Sequence, residues 1–319
     1  MQAVDEVREI SHDDAGARLD QVAARLIEGF SRERLKAWIL EGALTLDGQP
    51  AKPNTKVAEG QQMRLSATLP QMTADTPEAL PLRVVYEDAD LLVIDKPAGL
   101  VVHPAAGHQS GTLLNALLHR YPEARLLPRA GIVHRLDKDT SGLMVVARTP
   151  ASHQALVAAI QAREVSREYV AVVNGVMTGG GTVDQPMARH PRQRQKMAVV
   201  AGGKPAVTHY RLRERFVSHT AVDVQLETGR THQIRVHLAH LGYPLVGDPA
   251  YGGRLKVPKG SDEALRALLA GFPRQALHAA RLAFSHPITG QPCSWESPLP
   301  DDIEQLLAGL RAHRDGTAL

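Results

Sequence analysis

The segment GIVHRLDKDTSGL, residues 131–143, has five ionisable groups within the six residues 134–139. Its apolar first half, residues 131–136, predicts a short strand that delivers polar residues to a turn closed by Gly142. A carboxylate at the end of a buried strand is unfavourable unless it is paired or functional, so Asp137 is a candidate catalytic group. In the structural alternative, Asp137 or Asp139 caps the turn and Arg135 is a solvated charge.

Two known catalytic patterns compete for this segment. His134, Asp137 and Ser141 are the residue types of a hydrolytic triad, but they are too close in sequence to be placed independently, and no Gly-x-Ser-x-Gly elbow accompanies them. Residues 137–140, Asp-Lys-Asp-Thr, also resemble the Asp-x-Asp-x-Thr signature of haloacid-dehalogenase-type phosphatases, which use a nucleophilic aspartate and magnesium. That fold requires a parallel, doubly wound sheet, for which the chain lacks the regular alternation of strands and helices.

The sequence on both sides of this segment predicts an α+β domain. Strands are expected at residues 82–86, 91–94, 131–136, 144–147, 169–173, 221–226 and 281–284, and helices at 112–120, 151–163 and 301–312. The chain shows neither a βαβ alternation nor an internal repeat.

Residues 15–66 predict a separate small domain. Two short helices, the second capped by Ser31, are followed by a hairpin that turns at Asp47-Gly48. Residues 67–80 lack periodicity and contain two prolines, which is typical of a linker. The larger domain is then expected at residues 81–312.

A second polar motif, LETGRTHQIRVHL, occupies residues 226–238. It predicts a helix that starts near Thr231 and presents free backbone N–H groups beside Arg230. A buried Arg235 on this helix would need a carboxylate partner, and Asp137 is the candidate. The histidines of the motif match no standard metal-site spacing, so no metal is expected.

Basic residues are concentrated although the formal net charge is only +3. Between residues 186 and 215, eight residues are Lys or Arg and only Glu214 is acidic. Such a run predicts an extended basic hairpin or loop that contacts a phosphate backbone, although a solvated loop is the ordinary explanation. The candidate phosphate-binding residues are Arg189, Arg192, Arg194, Lys196 and Lys204, with Arg230 and, in the small domain, Arg32, Arg34 and Lys36.

Composition excludes several classes of protein. The single cysteine, Cys293, excludes an intramolecular disulfide framework and multi-cysteine zinc or iron–sulfur sites. The acidic N-terminal segment predicts no secretory signal, and no stretch approaches the roughly 18 apolar residues of a membrane span. Gly202-Gly203-Lys204 is not a P-loop, so no nucleotide cofactor is expected. These features predict a soluble protein of the cytoplasm.

Four motifs together resemble the RluA-type RNA pseudouridine synthases. They are HRLDKDTSGL at 134–143, REY at 167–169, GRTHQIRVHLAHLGYPLVGD at 229–248 and RQALHA at 274–279. The small domain resembles the S4 RNA-binding domain, and the resemblance extends over about residues 15–300. It implies a catalytic domain built on a mixed, mainly antiparallel sheet with flanking helices.

The resemblance also implies an activity and roles for five residues. The reaction converts uridine in RNA to pseudouridine without a metal or other cofactor, and Asp137 is its catalytic nucleophile or base. Arg135 would fill the stack vacated by the flipped uridine, and Tyr169 would stack on the base. Arg235 would pair with Asp137, and Leu277 would pack beside the base.

The expected substrate is large-subunit (23S) ribosomal RNA, free or within a pre-ribosomal particle, and the expected state is a monomer acting in ribosome biogenesis. Two other functions stay open on the sequence. One is the magnesium-dependent phosphatase, for which Asp301-Asp302 is the only pair of adjacent aspartates late in the chain. The other is a non-catalytic ribosome-assembly factor built on an S4 domain.

Overall fold

A computed structural model describes residues 2–27, 32–69, 76–105, 108–253 and 255–316. The chain divides into two compact units, Met1–Thr73 and Ala74–Leu319. Within the described ranges, every helix is too short or too polar to cross a membrane.

The first unit is a four-stranded antiparallel sheet covered by two helices. Its strands are β1 (Gln2–Glu9), β2 (Leu44–Leu46), β3 (Gln49–Pro50) and β4 (Gln62–Leu69), in the order β1-β4-β2-β3. Helices α1 (Leu19–Leu26) and α2 (Arg32–Glu41) bury Leu19, Leu35 and Trp38 against it. The predicted cap Ser31 lies outside the described residues.

Strand β1 and the end of β4 differ from the sequence-based expectation. Strand β1 precedes the expected domain start at residue 15, and β4 continues through Leu69 into the stretch expected to be a linker. All eight residues of β1 pair with β4. Its sequence, QAVDEVRE, is mostly polar, and Asp5, Val7, Arg8 and Glu9 are exposed, so the backbone pairing leaves little apolar signal. Residues 70–75 of the expected linker lie outside the described ranges.

The second unit contains a nine-stranded sheet with flanking helices. Its strands are β5 (Val84–Glu87), β6 (Leu91–Lys96), β7 (Ser141–Ala147), β8 (Ser166–Asn174), β9 (Gly181–Asp184), β12 (Val207–Arg215), β13 (His219–Leu226), β14 (Leu277–Ser285) and β15 (Pro292–Glu296). The order is β5-β6-β7-β14-β8-β13-β12-β9, with β15 also paired to β14. Only β7 and β14 run parallel. The predicted α+β class with a mixed, mainly antiparallel sheet is confirmed.

A separate two-stranded hairpin and five helices complete this unit. The hairpin consists of β10 (Met187–Arg189) and β11 (Met197–Val199). The helices are α3 (Leu113–Arg120), α4 (Pro150–Gln161), α5 (Gln233–His240), α6 (Glu263–Gly271) and α7 (Asp301–Asp315). Alternate residues of β8 enter two different cores: Tyr169 and Ala171 pack with residues of α3 and α5, and Val172 packs with residues of α6 and α7.

The expected strand at residues 131–136 is wrong. A short 3-10 segment (Pro128–Gly131) precedes it, and Ile132 forms only an isolated bridge with Val146. Gly131 has φ of 83°, and a Cβ there would lie 2.0 Å from the carbonyl oxygen of Ala147. The apolar residues are therefore buried by close packing on β7 rather than by a strand ladder, a difference that an apolar run cannot reveal.

Candidate active site

The backbone around Asp137 is held by a buried lysine. Lys96, at the end of β6, is 1% exposed, and its Nζ donates to the carbonyl oxygens of Pro97, Leu100 and Lys138 at 2.8, 3.0 and 2.9 Å. Burial lowers the pKa of Lys96 to about 7, against the opposing effect of Asp139 and Asp137. Sequence analysis missed this residue, although a lysine ending the apolar run LLVIDK is an unusual signal.

Asp137 and Arg235 form the predicted ion pair. Arg235 Nη1 donates to Asp137 Oδ2 at 2.9 Å, and the Asp137 side chain is 15% exposed. Asp137 Oδ1 has no hydrogen-bond partner among the described residues, and His232 Nε2 lies 3.9 Å from it. One carboxylate oxygen is thus fixed and the other is available for chemistry.

A second carboxylate, missed in the sequence, orients Arg235. Asp248 accepts from Arg235 Nε at 2.7 Å and from Nη2 at 2.9 Å, and it also accepts the backbone N–H groups of Ala250 and Tyr251. Burial opposes ionisation of Asp248, but the Arg235 guanidinium outweighs it and lowers the pKa of Asp248. This bidentate geometry is the arrangement that fixes an arginine most firmly.

Helix α5 begins two residues later than expected. His232, its N-cap, has left-handed backbone geometry with φ of 58°, so the first helical residue is Gln233 rather than Thr231. The Gln233 side chain accepts from Arg230 N–H and Thr228 Oγ1, and donates to Val207 O and Thr208 Oγ1. These bonds tie the helix start to β12 and fix the position of Arg235 near the start of the helix.

The histidines near α5 are engaged in hydrogen bonds rather than grouped as metal ligands. His232 Nδ1 lies 2.8 Å from the Tyr251 hydroxyl, which also accepts the Met197 N–H at 2.8 Å. His237 bonds Thr208 Oγ1 and Gln185 O. In the described ranges, His/Cys/Asp/Glu side chains that could hold a metal come together only at Asp88, Asp90 and His286, where Asp88 already accepts from Tyr86 and bonds His286.

An open cleft of about 680 Å³ brings the catalytic candidates together. It is lined by all five residues to which a catalytic role was assigned, and by Arg230. Tyr169 and Leu277 are 6% and 4% exposed, whereas Arg135 is exposed. Burial raises the pKa of Tyr169, so its hydroxyl stays protonated near neutral pH. The cleft combines apolar walls, cations and the Asp137 carboxylate.

The other basic candidates lie elsewhere. The β10–β11 hairpin carries three exposed arginines, Arg189, Arg192 and Arg194, and the half-buried Lys196. Exposed Lys204 follows the hairpin. None of these five cations makes an ion pair within the described residues. Arg189 Nη1 donates to Arg194 O across the hairpin. In the first unit, Arg32 pairs with Asp20 at 2.8 Å, Arg34 lies 4.7 Å from the Trp38 ring centroid, and Lys36 is exposed.

The phosphatase alternative finds no support in this geometry. Asp137 and Asp139 belong to no cluster of metal-ligand side chains in the part of the chain that is described. Asp302, half of the late acidic pair, instead accepts from Arg274 Nε and Nη2 at 2.6 and 2.8 Å. The sheet that carries the cleft is also mainly antiparallel, not doubly wound.

Comparison with known proteins agrees with these features. Residues 90–240 match the RNA pseudouridylate synthase family, and residues 17–62 match the S4 domain. The ribosomal large subunit pseudouridine synthase D of Pseudomonas aeruginosa is 57% identical over 96% of this chain and 96% of its own length. That of Escherichia coli K12 is 51% identical over 96% and 95%. The solved structure of human RNA pseudouridylate synthase domain containing 4 is 26% identical, with a TM-score of 0.56 over 72% of this chain and 93% of its own.

Proposed function

The chain belongs to the RNA pseudouridine synthase family and is an isomerase acting on RNA, and from this membership we propose that its substrate is large-subunit ribosomal RNA and its catalytic group Asp137. The observation that carries the catalytic assignment is the Asp137–Arg235 pair at 2.9 Å inside the cleft. A non-catalytic S4 assembly factor would have no use for this pair.

The reaction defines what the cleft must do. The bond between N1 and C1′ of uridine breaks, a bond between C5 and C1′ forms, and the hydrogen lost from C5 is balanced by one gained at N1. Asp137 acts at the sugar as nucleophile or base through Oδ1, since Oδ2 is held by Arg235. Arg235 provides a fixed opposite charge that holds the carboxylate in one direction.

The uridine must leave the base stack before this chemistry can start. Unstacking costs a few kcal/mol, which contacts to the flipped base and to the vacated stack must offset. Tyr169 and Leu277 provide buried apolar and aromatic surface for the base inside the cleft. The exposed guanidinium of Arg135 is free to enter the gap in the RNA.

Three features support ribosomal RNA as the substrate. The names of the relatives refer to the ribosomal large subunit. An S4 domain occupies residues 17–62 of this chain. The β10–β11 hairpin presents cations that make no ion pair within the described ranges, and such cations can contact a phosphate backbone. We expect the hairpin and the α2 cations to contact the RNA backbone, with the rRNA free or in an assembling particle. We further propose that the protein acts as a monomer in the cytoplasm, during ribosome biogenesis.

The catalytic assignment is tested with Asp137→Asn and Asp137→Ala. Tritium release from rRNA carrying [5-³H]uridine should be abolished, while binding of the same RNA stays close to that of the unmodified protein. Asp139→Asn is the matched control, because Asp139 is a neighbouring carboxylate that does not line the cleft. Full activity of Asp137→Ala would refute the assignment.

The substrate is tested by mapping pseudouridines in total RNA from cells with active protein and with Asp137→Asn. We expect the sites that disappear to lie in large-subunit rRNA. Loss of sites only in other RNAs would refute the proposed substrate while leaving the catalytic assignment intact.

A further inference from the structure

Arg167 is a buried cation without a partner among the described residues. It lies on β8, two residues before Tyr169, is 6% exposed and lines the catalytic cleft. Within the described ranges it makes no ion pair and no hydrogen bond, and its buried Nε is unsatisfied. Its role was not predicted from the sequence, where REY served only as a motif.

This lack of a partner contrasts with two other buried arginines of the second unit. Arg235 is neutralised by Asp137 and Asp248, and Arg274 by Asp302, with three backbone carbonyls as further acceptors. A buried, unpaired charge is strongly destabilising, and an unsatisfied donor adds to the penalty. A site of this kind is expected where an anionic ligand completes it.

The surroundings of Arg167 leave room for such a ligand but supply no anion. A Cβ at Gly229, another cleft residue, would lie 2.8 Å from Arg167 Nη1, so glycine there keeps space for the guanidinium. The two acidic residues that line the cleft are already engaged, Asp137 by Arg235 and Glu227 by Arg163 and His209. Arg129, Arg135 and Arg230 add further positive charge.

We propose that Arg167 binds a phosphate of the flipped target nucleotide, and this inference rests on the proposed function. Phosphates carry the only full negative charges of RNA, whereas the uracil carbonyls are neutral and would leave the buried charge uncompensated. Arg167 and Tyr169 are both buried and lie two residues apart on β8, so their side chains share a face about 7 Å apart along the strand. One nucleotide can therefore place its base at Tyr169 and its phosphate at Arg167.

The test is a double-perturbation cycle on binding, in the Asp137→Asn background so that no turnover occurs. The probe is a short RNA spanning a uridine mapped as a product site, with single methylphosphonates placed in turn at each phosphate flanking that uridine. Arg167→Met should weaken binding of unmodified RNA about ten-fold. At one of the flanking positions, the methylphosphonate should weaken binding by a similar factor when Arg167 is present. The same modified RNA should bind Arg167→Met almost as tightly as unmodified RNA binds that variant. The slope of log K against log salt should fall by about 0.7.

Stability separates this role from a structural one. Removal of an unpaired buried charge should leave the free energy of unfolding of Arg167→Met equal or higher, whereas a structural arginine would lower it. Arg266→Met, which removes an exposed cation on α6 outside the cleft, is the control and should change neither stability nor the phosphate-specific coupling.

Two results would overturn the proposal. One is that, at every flanking phosphate, the affinity lost through the methylphosphonate adds to the affinity lost through Arg167→Met. The other is that Arg167→Met binds unmodified RNA with normal affinity. Since the cycle measures binding only, its outcome is independent of whether Asp137 is catalytic. Activity retained by Asp137→Asn would refute the catalytic assignment of Asp137, and additive cycles would refute the role of Arg167 alone.

Discussion

Asp248 holds Arg235 through two hydrogen bonds, from Nε at 2.7 Å and from Nη2 at 2.9 Å, and thereby leaves Nη1 for Asp137. The planar guanidinium cannot rotate without losing one of the two bonds. Burial disfavours the charged guanidinium, but Asp248 and Asp137 more than compensate and raise the pKa of Arg235. The direction of the Asp137 carboxylate therefore depends on a residue that does not line the cleft.

Asp248→Asn should lower both stability and activity. It removes one charge from a buried pair, which costs about 3–5 kcal/mol of unfolding free energy, and it frees Arg235 to rotate away from Asp137. Urea unfolding and tritium release measure the two effects. Asp223→Asn is the control, because Asp223 pairs with Arg213 where both side chains are nearly half exposed, and such pairs contribute at most about 1 kcal/mol. Equal stability losses in the two variants would contradict this account.

His134 should make stability depend on pH. Its Nε2 accepts the Val145 N–H at 3.0 Å, and burial together with the Arg167 cation lowers the pKa of His134 to about 3. Between pH 6.5 and about 3 the unfolded histidine binds a proton and the folded one does not, so stability falls as pH is lowered through this range. His134→Gln keeps an acceptor but does not titrate. Its free energy of unfolding should rise relative to that of the unmodified protein below pH 6.5, and parallel pH curves would contradict the prediction.

The sequence predicted the Asp137–Arg235 ion pair, but it did not predict the surrounding residues that complete the site. Asp137 and Arg235 stand in long motifs, and a carboxylate is the usual partner of a buried arginine. Lys96, Tyr251 and Arg167 gain their significance only from tertiary packing: three carbonyls converge on Lys96, and Tyr251 reaches His232 from a separate loop. No local pattern records such convergence.

For the fold as well, the sequence predicted some features and failed to predict others. The class followed from the missing βαβ alternation, because that alternation is a property of the chain order itself. Strand β1 was missed because pairing with β4 satisfies its backbone while Asp5, Val7, Arg8 and Glu9 stay exposed. Residues 131–136 were assigned to a strand because burial on β7 gives the same apolar run as a ladder.

Neutralising the hairpin should weaken RNA binding in a salt-dependent manner. Arg192→Gln, Arg194→Gln and Lys196→Gln together remove three cations that have no ion-pair partner among the described residues. For each phosphate that the variant no longer neutralises, the slope of log K against log salt should fall by about 0.7–0.9, so the triple variant should show a slope smaller by about two. Arg266→Gln serves as the exposed control. An unchanged slope would mean that these cations face solvent in the complex.

Tyr251 connects this hairpin to His232 and Arg235, the two residues beside the Asp137 carboxylate. Its hydroxyl accepts the N–H of Met197 on β11 and lies 2.8 Å from His232 Nδ1, while its ring lies 5.1 Å from the Arg235 guanidinium. Tyr251→Phe keeps the ring and removes the hydroxyl, so His232 loses the bond that holds it facing Asp137. We expect kcat to fall about ten-fold, as for removal of a hydrogen bond near a charged group, with RNA affinity nearly unchanged. Tyr243→Phe, whose hydroxyl bonds nothing among the described residues, should leave both constants unchanged. A Tyr251→Phe enzyme with normal kcat would show that the hairpin and Asp137 act independently.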